Sequence, residues 1–230
     1  MLVVLLVLLG VAVAGDRFGV RAAERTAAER LQTELGLPQP PTVEIDGIPF
    51  LTQLATSTFG HVVVEAAEVP LDTAGGSVAI DRLHMDLRTV KASDGYRAAT
   101  VGSATGTAEF GWAAVSTLAG GVDVAFDSVD ASGRGKVRLA VSQQLFGREV
   151  RAEIVAVPEL DPSSQTIVFR DASVRLLGVE LPPQVGETLL NAFLDPIPVQ
   201  APFGLTATGL TVTADGARMD LAGENLVIGA

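Results

Sequence analysis

The chain is 230 residues long, carries 27 acidic against 16 basic residues for a net charge of −11, and contains no cysteine. The acid excess runs against a nucleic-acid binder, which shows a basic patch or stripe, and against simple polybasic attachment to anionic lipid. The missing thiols exclude disulfides, cysteine nucleophiles, thiolate metal sites and a lipid-modified cysteine, while a chain of this length buries a core without such staples.

The first 14 residues, Met1 to Ala14, are uncharged and apolar. About 20 such residues span a bilayer and signal-peptide cores run to roughly 7–15. The segment therefore reads as a signal peptide or a membrane anchor, followed by one domain over residues 15–230. Ala12-Val13-Ala14 before Gly15 fits the small-x-small pattern of signal-peptidase cleavage, although no Lys or Arg precedes the run. The expectation is a domain working outside the cytoplasm, on or near a membrane. Asp16 to Leu35 is rich in Ala, Glu, Arg and Leu without proline, which predicts a helix with a narrow apolar stripe. Gly36 suits its C-cap and Pro38 its stop.

From Thr42 the period changes. Val43-Glu44-Ile45 predicts a strand, Asp46-Gly47 a turn, and Pro49 to Leu54 a short helix with proline in its first turn. His61 to Val69 and Ser77 to Val90 predict strands. In the second, Val78 and Ile80 fall out of phase with Leu83, Met85 and Leu87, which predicts a bulge at Asp81-Arg82. Thr100 to Phe110 reads as extended, Trp112 to Leu118 as a helix ended by Gly120-Gly121. Alternation at Val122 to Phe126, Val137 to Val141 and Val150 to Ile154 predicts more strands, with turns at Ser132-Gly133 and Asp161-Pro162. Gln165 to Val179 reads as a further strand region and Gln184 to Leu194 as a helix. Leu210 to Thr213 and Arg218 to Leu221 form a hairpin around Asp215-Gly216. The fold class is α+β: a long curved antiparallel sheet interrupted by short helices, with an N-terminal helix.

No catalytic constellation emerges. The two histidines, His61 and His84, lie in strand-like runs without the spacing of a helical metal pair. There is no Gly-x-Ser-x-Gly elbow and no P-loop; Gly133-Arg134-Gly135-Lys136 reads as a turn. Asp123, Asp127 and Asp130 miss the glycine and glutamate of a calcium loop and read as the wet face of a strand. No metal or cofactor is expected. What remains is apolar surface. Hydrophobic residues make up 48% of the chain and mean hydropathy is +0.39, so the chain either buries an unusually large core or lines an apolar cavity. Phe50, Leu51 and Leu54, Phe59, Trp112, Val115 and Leu118, Phe126, and Leu189, Leu190 and Phe193 are the large side chains concerned. They either plug a curved sheet or enclose a groove for acyl chains, since an apolar groove with few polar anchors is what a lipid needs. Arg134, Lys136 and Arg138 cluster near a turn, where they either meet a phosphate head group or form a solvated hairpin tip.

Several of these segments together carry a resemblance. They are the apolar run entering an Arg/Ala/Glu helix, Ile45-Asp46-Gly47-Ile48-Pro49-Phe50-Leu51-Thr52-Gln53-Leu54, the helix after Leu181-Pro182, the Pro196-Ile197-Pro198 step, and the final hairpin. In these the chain resembles the actinobacterial LmeA-like family, over nearly its whole length. The resemblance implies a cell-envelope protein on the outer side of the plasma membrane that binds phospholipid. In mycobacteria the family is tied to mannan elongation in lipomannan and lipoarabinomannan. It also implies a fold similar to tubular lipid-binding (TULIP-like) modules, a curved sheet wrapped on a long helix, and it brings no catalytic residues. The leading expectation is a non-enzymatic phospholipid-binding or lipid-transfer protein whose partners are phospholipid, the membrane surface and envelope glycan-synthesis proteins. The rivals are an envelope enzyme or accessory subunit acting on lipid-linked glycans, which would need a polar cluster in a cleft, and a scaffold domain with a well-packed core.

Overall fold

The computed structural model describes residues 2–73, 76–93, 98–145, 148–176, 179–181, 197–199, 201 and 204–228. Its first element is a single helix, α1 (Leu2–Leu35). The apolar run and the charged helical stretch, expected as separate segments, are thus one rod. Nothing at Ala14-Gly15-Asp16 breaks it, since a lone glycine costs only ~1 kcal/mol relative to alanine in a helix. The helix closes at Gly36, whose φ is +63°, with the Leu37 N–H donating back to the Gln32 carbonyl at 2.9 Å. Among the residues whose side chains are described, no helix is long and apolar enough to cross a membrane.

The elements that follow are β1 (Thr42–Asp46), α2 (Phe50–Thr56), β2 (Thr58–Thr73), β3 (Gly76–Ser93), β4 (Ala98–Gly111), α3 (Trp112–Leu118), β5 (Asp123–Val129) and β6 (Gly135–Leu145). After them come β7 (Arg148–Asp161), β8 (Thr166–Leu176), β9 (Val179–Glu180), β10 (Ile197–Pro198), β11 (Thr206–Val212) and β12 (Gly216–Ile228). The α+β class holds; among the described residues the strands form two antiparallel sheets where one long sheet was expected. The first runs β1-β2-β3-β4-β12-β11, so the C-terminal hairpin returns across the whole chain to pair with β4; the second runs β10-β8-β7-β6-β5. The strand region expected from Gln165 to Val179 holds β8 and the start of β9, which folds back onto β8 with Leu176 opposite Val179. The expected helix Gln184 to Leu194, and with it Leu189, Leu190 and Phe193, lies outside the described residues.

The first sheet keeps one apolar face by an unusual device. Buried Phe59 and Val62 in β2, Val101 and Ala104 in β4 are three residues apart rather than two. A row of residues crosses the sheet at that level: Gly60, Thr89, Gly102 and Asn225 fall between ladder pairs on neighbouring strands, and Thr89 and Asn225 have φ of +54° and +52°. Each strand flips its side-chain phase in the same row, so the register is kept and the apolar face continues beyond it. The phase change at Asp81-Arg82 has the same origin. It is not a bulge: Ala67 faces Arg82 and Val69 faces Ile80 in one frame, because β2 flips at Glu68 (φ +53°) opposite Asp81.

α1 lies on the apolar face of the first sheet. Val20, Ala23, Ala27, Ala28 and Leu31 pack against Val43, Phe50, Phe59 and Val62. The small alanines let the helix sit close. α3 joins the two sheets: Val115 packs both on the cluster around Ile80, Ala108 and Leu221 and on the second sheet's cluster of Val124, Val137, Leu139, Ile154 and Val174.

Candidate functional site

The corner where α1, β1 and α2 meet is built by the Asp46-to-Gln53 stretch that the sequence singles out. Gly47 has φ of +113°, and a Cβ there would lie 2.6 Å from Gln53 Nε2, so only glycine turns the chain this tightly. Gln53 then pins the corner: its Nε2 donates to the Asp46 carbonyl at 3.2 Å and its Oε1 accepts from the Gly60 N–H at 2.9 Å. The N-cap residue of α2 is Pro49, which offers no side-chain cap. The cap comes instead from α1. Asp16, buried, accepts the Phe50 N–H at 3.0 Å and the Leu51 N–H at 2.9 Å, placing a carboxylate at the positive end of the short helix. About two turns further along, Glu24 accepts the N–H of Ile45 at 3.0 Å and so covers part of edge strand β1.

Two hollows open here. A cavity of about 130 Å³ lies between Asp16, Arg17 and Val20 of α1 and Ile45 to Ile48. A shallower depression of about 460 Å³ lies outside the turn, lined by Ile48, Pro49, Thr52, Gln53, Gly60 and His61. His61, on its floor, bridges two carboxylates: Nδ1 to Asp46 Oδ2 and Nε2 to Asp86 Oδ2, each at 2.8 Å. The hydrogen bond to Asp86, helped by Asp46, raises the imidazole pKa against the desolvation of the site; the same hydrogen bond from His61 lowers that of Asp86. When the ring is protonated both nitrogens donate to carboxylates, and that form has no lone pair for a metal or for general-base work. Among the described residues no cluster of His, Asp and Glu could hold a metal ion. Sequence reasoning missed this bridge, because Asp46, His61 and Asp86 meet only through strand pairing.

The apolar candidates do not form one patch. Phe50 and Phe59 are buried together under α1, ring centroids 6.3 Å apart. Leu51 and Leu54, on the same helix as Phe50, are exposed. Trp112, Val115 and Leu118 sit on α3 between the sheets, and Phe126 is half-buried on β5. The cationic candidates lie on the second sheet and are engaged. Arg134 pairs with Asp130 at 2.8 Å, with Asp171 at 2.7 Å and with Glu159. Arg138 pairs with Asp127 at 2.8 Å and Glu153 at 3.1 Å, while Lys136 neighbours Asp127. These carboxylates raise the pKa of both guanidiniums. A phosphate would have to displace carboxylates that already clamp neighbouring strands.

A family profile described as LmeA-like phospholipid-binding matches residues 14–222. No curated protein and no solved structure matches the chain.

Proposed function

The chain belongs to the LmeA-like phospholipid-binding family, and from that premise we propose that it is a non-enzymatic phospholipid carrier of the cell envelope. Residues 1–14 export it or hold it at the outer side of the plasma membrane, and residues 15–230 take up the lipid as one domain. Acyl chains are drawn from the bilayer against apolar surface between the sheets, at ~0.8 kcal/mol per buried methylene. Support for lipoglycan assembly as its setting comes only from the family resemblance, and mannan elongation is the step it would serve.

One observation carries the placement of the acyl chains. α3 packs on the apolar clusters of both sheets, yet none of its residues is fully buried. Trp112, Val115 and Leu118 thus leave apolar surface open where the two cores meet. Trp112 is the one tryptophan of the chain and hydrogen-bonds through Nε1 to the Ala214 carbonyl at 2.8 Å, so its ring is fixed as a reporter. Native mass spectrometry of the full chain with lipid extraction tests the reading. A near-stoichiometric co-purifying phospholipid is expected, together with quenching of Trp112 fluorescence by phospholipid brominated along its chains. A chain that is lipid-free and stays so after incubation with vesicles overturns the carrier reading.

A further inference from the structure

The corner capped by Asp16 has an apolar outer side that the fold does not use. Ile48, Phe18 and Leu51 are 74%, 72% and 53% exposed. Exposed apolar residues scattered singly are ordinary, but a group of them marks a contact surface. These three gather about one turn of α1. The Asp16 carboxylate holds the Leu51 amide, a Cβ on Gly19 would lie 3.8 Å from Leu51 Cδ2, and Arg17, Val20 and Ile48 line one cavity. Phe18 belongs to that same turn but, at ~100° per residue, projects from the side of α1 opposite Asp16 and Val20, so the three residues ring the helix rather than share one face. With a rise of ~1.5 Å per residue, Phe18 lies only about 6 Å along the axis from Ala14, where the uncharged run ends.

The charges at the corner divide into carboxylates with partners in the fold and exposed arginines on α1. Each carboxylate has a partner within the fold: buried Asp16 takes the amides of α2, half-buried Glu24 the Ile45 N–H, and Asp46, itself exposed, the His61 ring. Arg17 and Arg21, on the same two turns of α1, are exposed. Arginines just beyond an apolar helical segment reach the phosphate level of a bilayer while their stems stay in apolar surroundings.

We propose that this corner is a membrane-docking surface: Ile48, Phe18 and Leu51 enter the bilayer interface as a collar at the base of the apolar part of α1, with Arg17 and Arg21 at the phosphates. A lipid bilayer is the occupant because the collar continues, through one unbroken helix, into the uncharged run from Leu2 to Ala14, which requires the same medium. The inference rests on the proposed membrane role, and it deepens that role by giving the domain a fixed orientation on the surface from which lipid would be drawn.

The chain has no cysteine, so single probes are easily placed. Ile48→Cys, Leu51→Cys and, far from the corner, Ser132→Cys in the β5–β6 turn are labelled in the full chain with the polarity-sensitive fluorophore NBD. Each is mixed with vesicles of phosphatidylcholine and phosphatidylglycerol after its thermal unfolding is checked against the unlabelled chain. The labels at positions 48 and 51 are expected to shift to the blue, brighten and become shielded from a water-soluble quencher, while the label at 132 does not change. Labels at 48 and 51 that stay water-like on a vesicle-bound chain overturn the proposal, as does an equal response at all three positions or a chain that fails to bind. Lipid co-purification, read on the same preparations, separates the two claims. Bound lipid with water-like labels sinks the docking surface alone, and buried labels on a chain that takes up no lipid sink the carrier reading alone.

Discussion

His61 shows how much of a side chain's role is set by partners that strand pairing brings. Its ring is held between Asp46 and Asp86, and the first consequence is a pH-dependent contribution to stability. The imidazole binds its proton more tightly folded than unfolded, so its contribution is complete below its ordinary value near 6.5 and is lost as pH rises through the raised folded value. Asp86 behaves in the opposite sense: its contribution is complete above its ordinary value near 3.8 and is lost as pH falls through the lowered one. The bridge is therefore fully formed between those two values. In His61→Gln, thermal unfolding should show the largest loss relative to the parent near pH 5 to 6, with the gap closing at alkaline pH. A gap independent of pH over that range would mean the ring stabilises by packing alone. From sequence, His61 reads as structural or solvent-facing and nothing more, since its partners stand 15 positions before it and 25 after it.

The short helix α2 depends on α1 in the same non-local way. A seven-residue helix is too short to hold itself in water, and Asp16 is 34 positions from the amide it caps. Asp16→Ala removes both hydrogen bonds and leaves the Phe50 N–H buried without a partner. The expected cost is about 2 kcal/mol in urea unfolding, with Asp16→Asn, which keeps one acceptor oxygen, falling between the two. An Asp16→Ala chain as stable as the parent would show that packing of Phe50 on Phe59 suffices to hold α2. The helix itself was readable, because proline at its start and apolar residues at Phe50, Leu51 and Leu54 are local signals. Its cap was not. The strands behaved similarly: alternation marks most of them, and the phase change at Asp81-Arg82 is visible as two apolar registers in one run. That the register survives it could not be read, because this depends on β2 making the same flip at Glu68. Arg134, Lys136 and Arg138 were visible as a cluster of charge, but apart from Asp130 in the same turn the carboxylates that hold the two arginines come from β5, β7 and β8.

At the level of the whole molecule, two sheets made by distant parts of the chain must be held together, and one side chain does much of this. Gln165, in the turn between β7 and β8 of the second sheet, has φ of +51° and lays its amide along β11, the edge strand of the first. Its Nε2 donates to the Ala207 carbonyl at 3.0 Å and its Oε1 accepts the Ala207 N–H at 2.9 Å, the two bonds a neighbouring strand would make. Its own carbonyl accepts the Val199 N–H at 2.8 Å, beside β10. Ala207 is 1% exposed, so water cannot take over when the amide is removed. Gln165→Ala should then cost about 2–3 kcal/mol, the penalty for a buried donor and acceptor left unpaired. Gln165→Glu is the sharper variant. It keeps an acceptor for the Ala207 N–H but sets a carboxylate oxygen against the Ala207 carbonyl, and should destabilise at neutral pH and recover as the acid protonates. Hydrogen exchange at Ala207 locates the effect: faster exchange there in both variants, with β3 and β4 unchanged, is the signature of sheets uncoupled at this seam. Unchanged protection at Ala207 would assign the coupling to α3 and its apolar contacts instead.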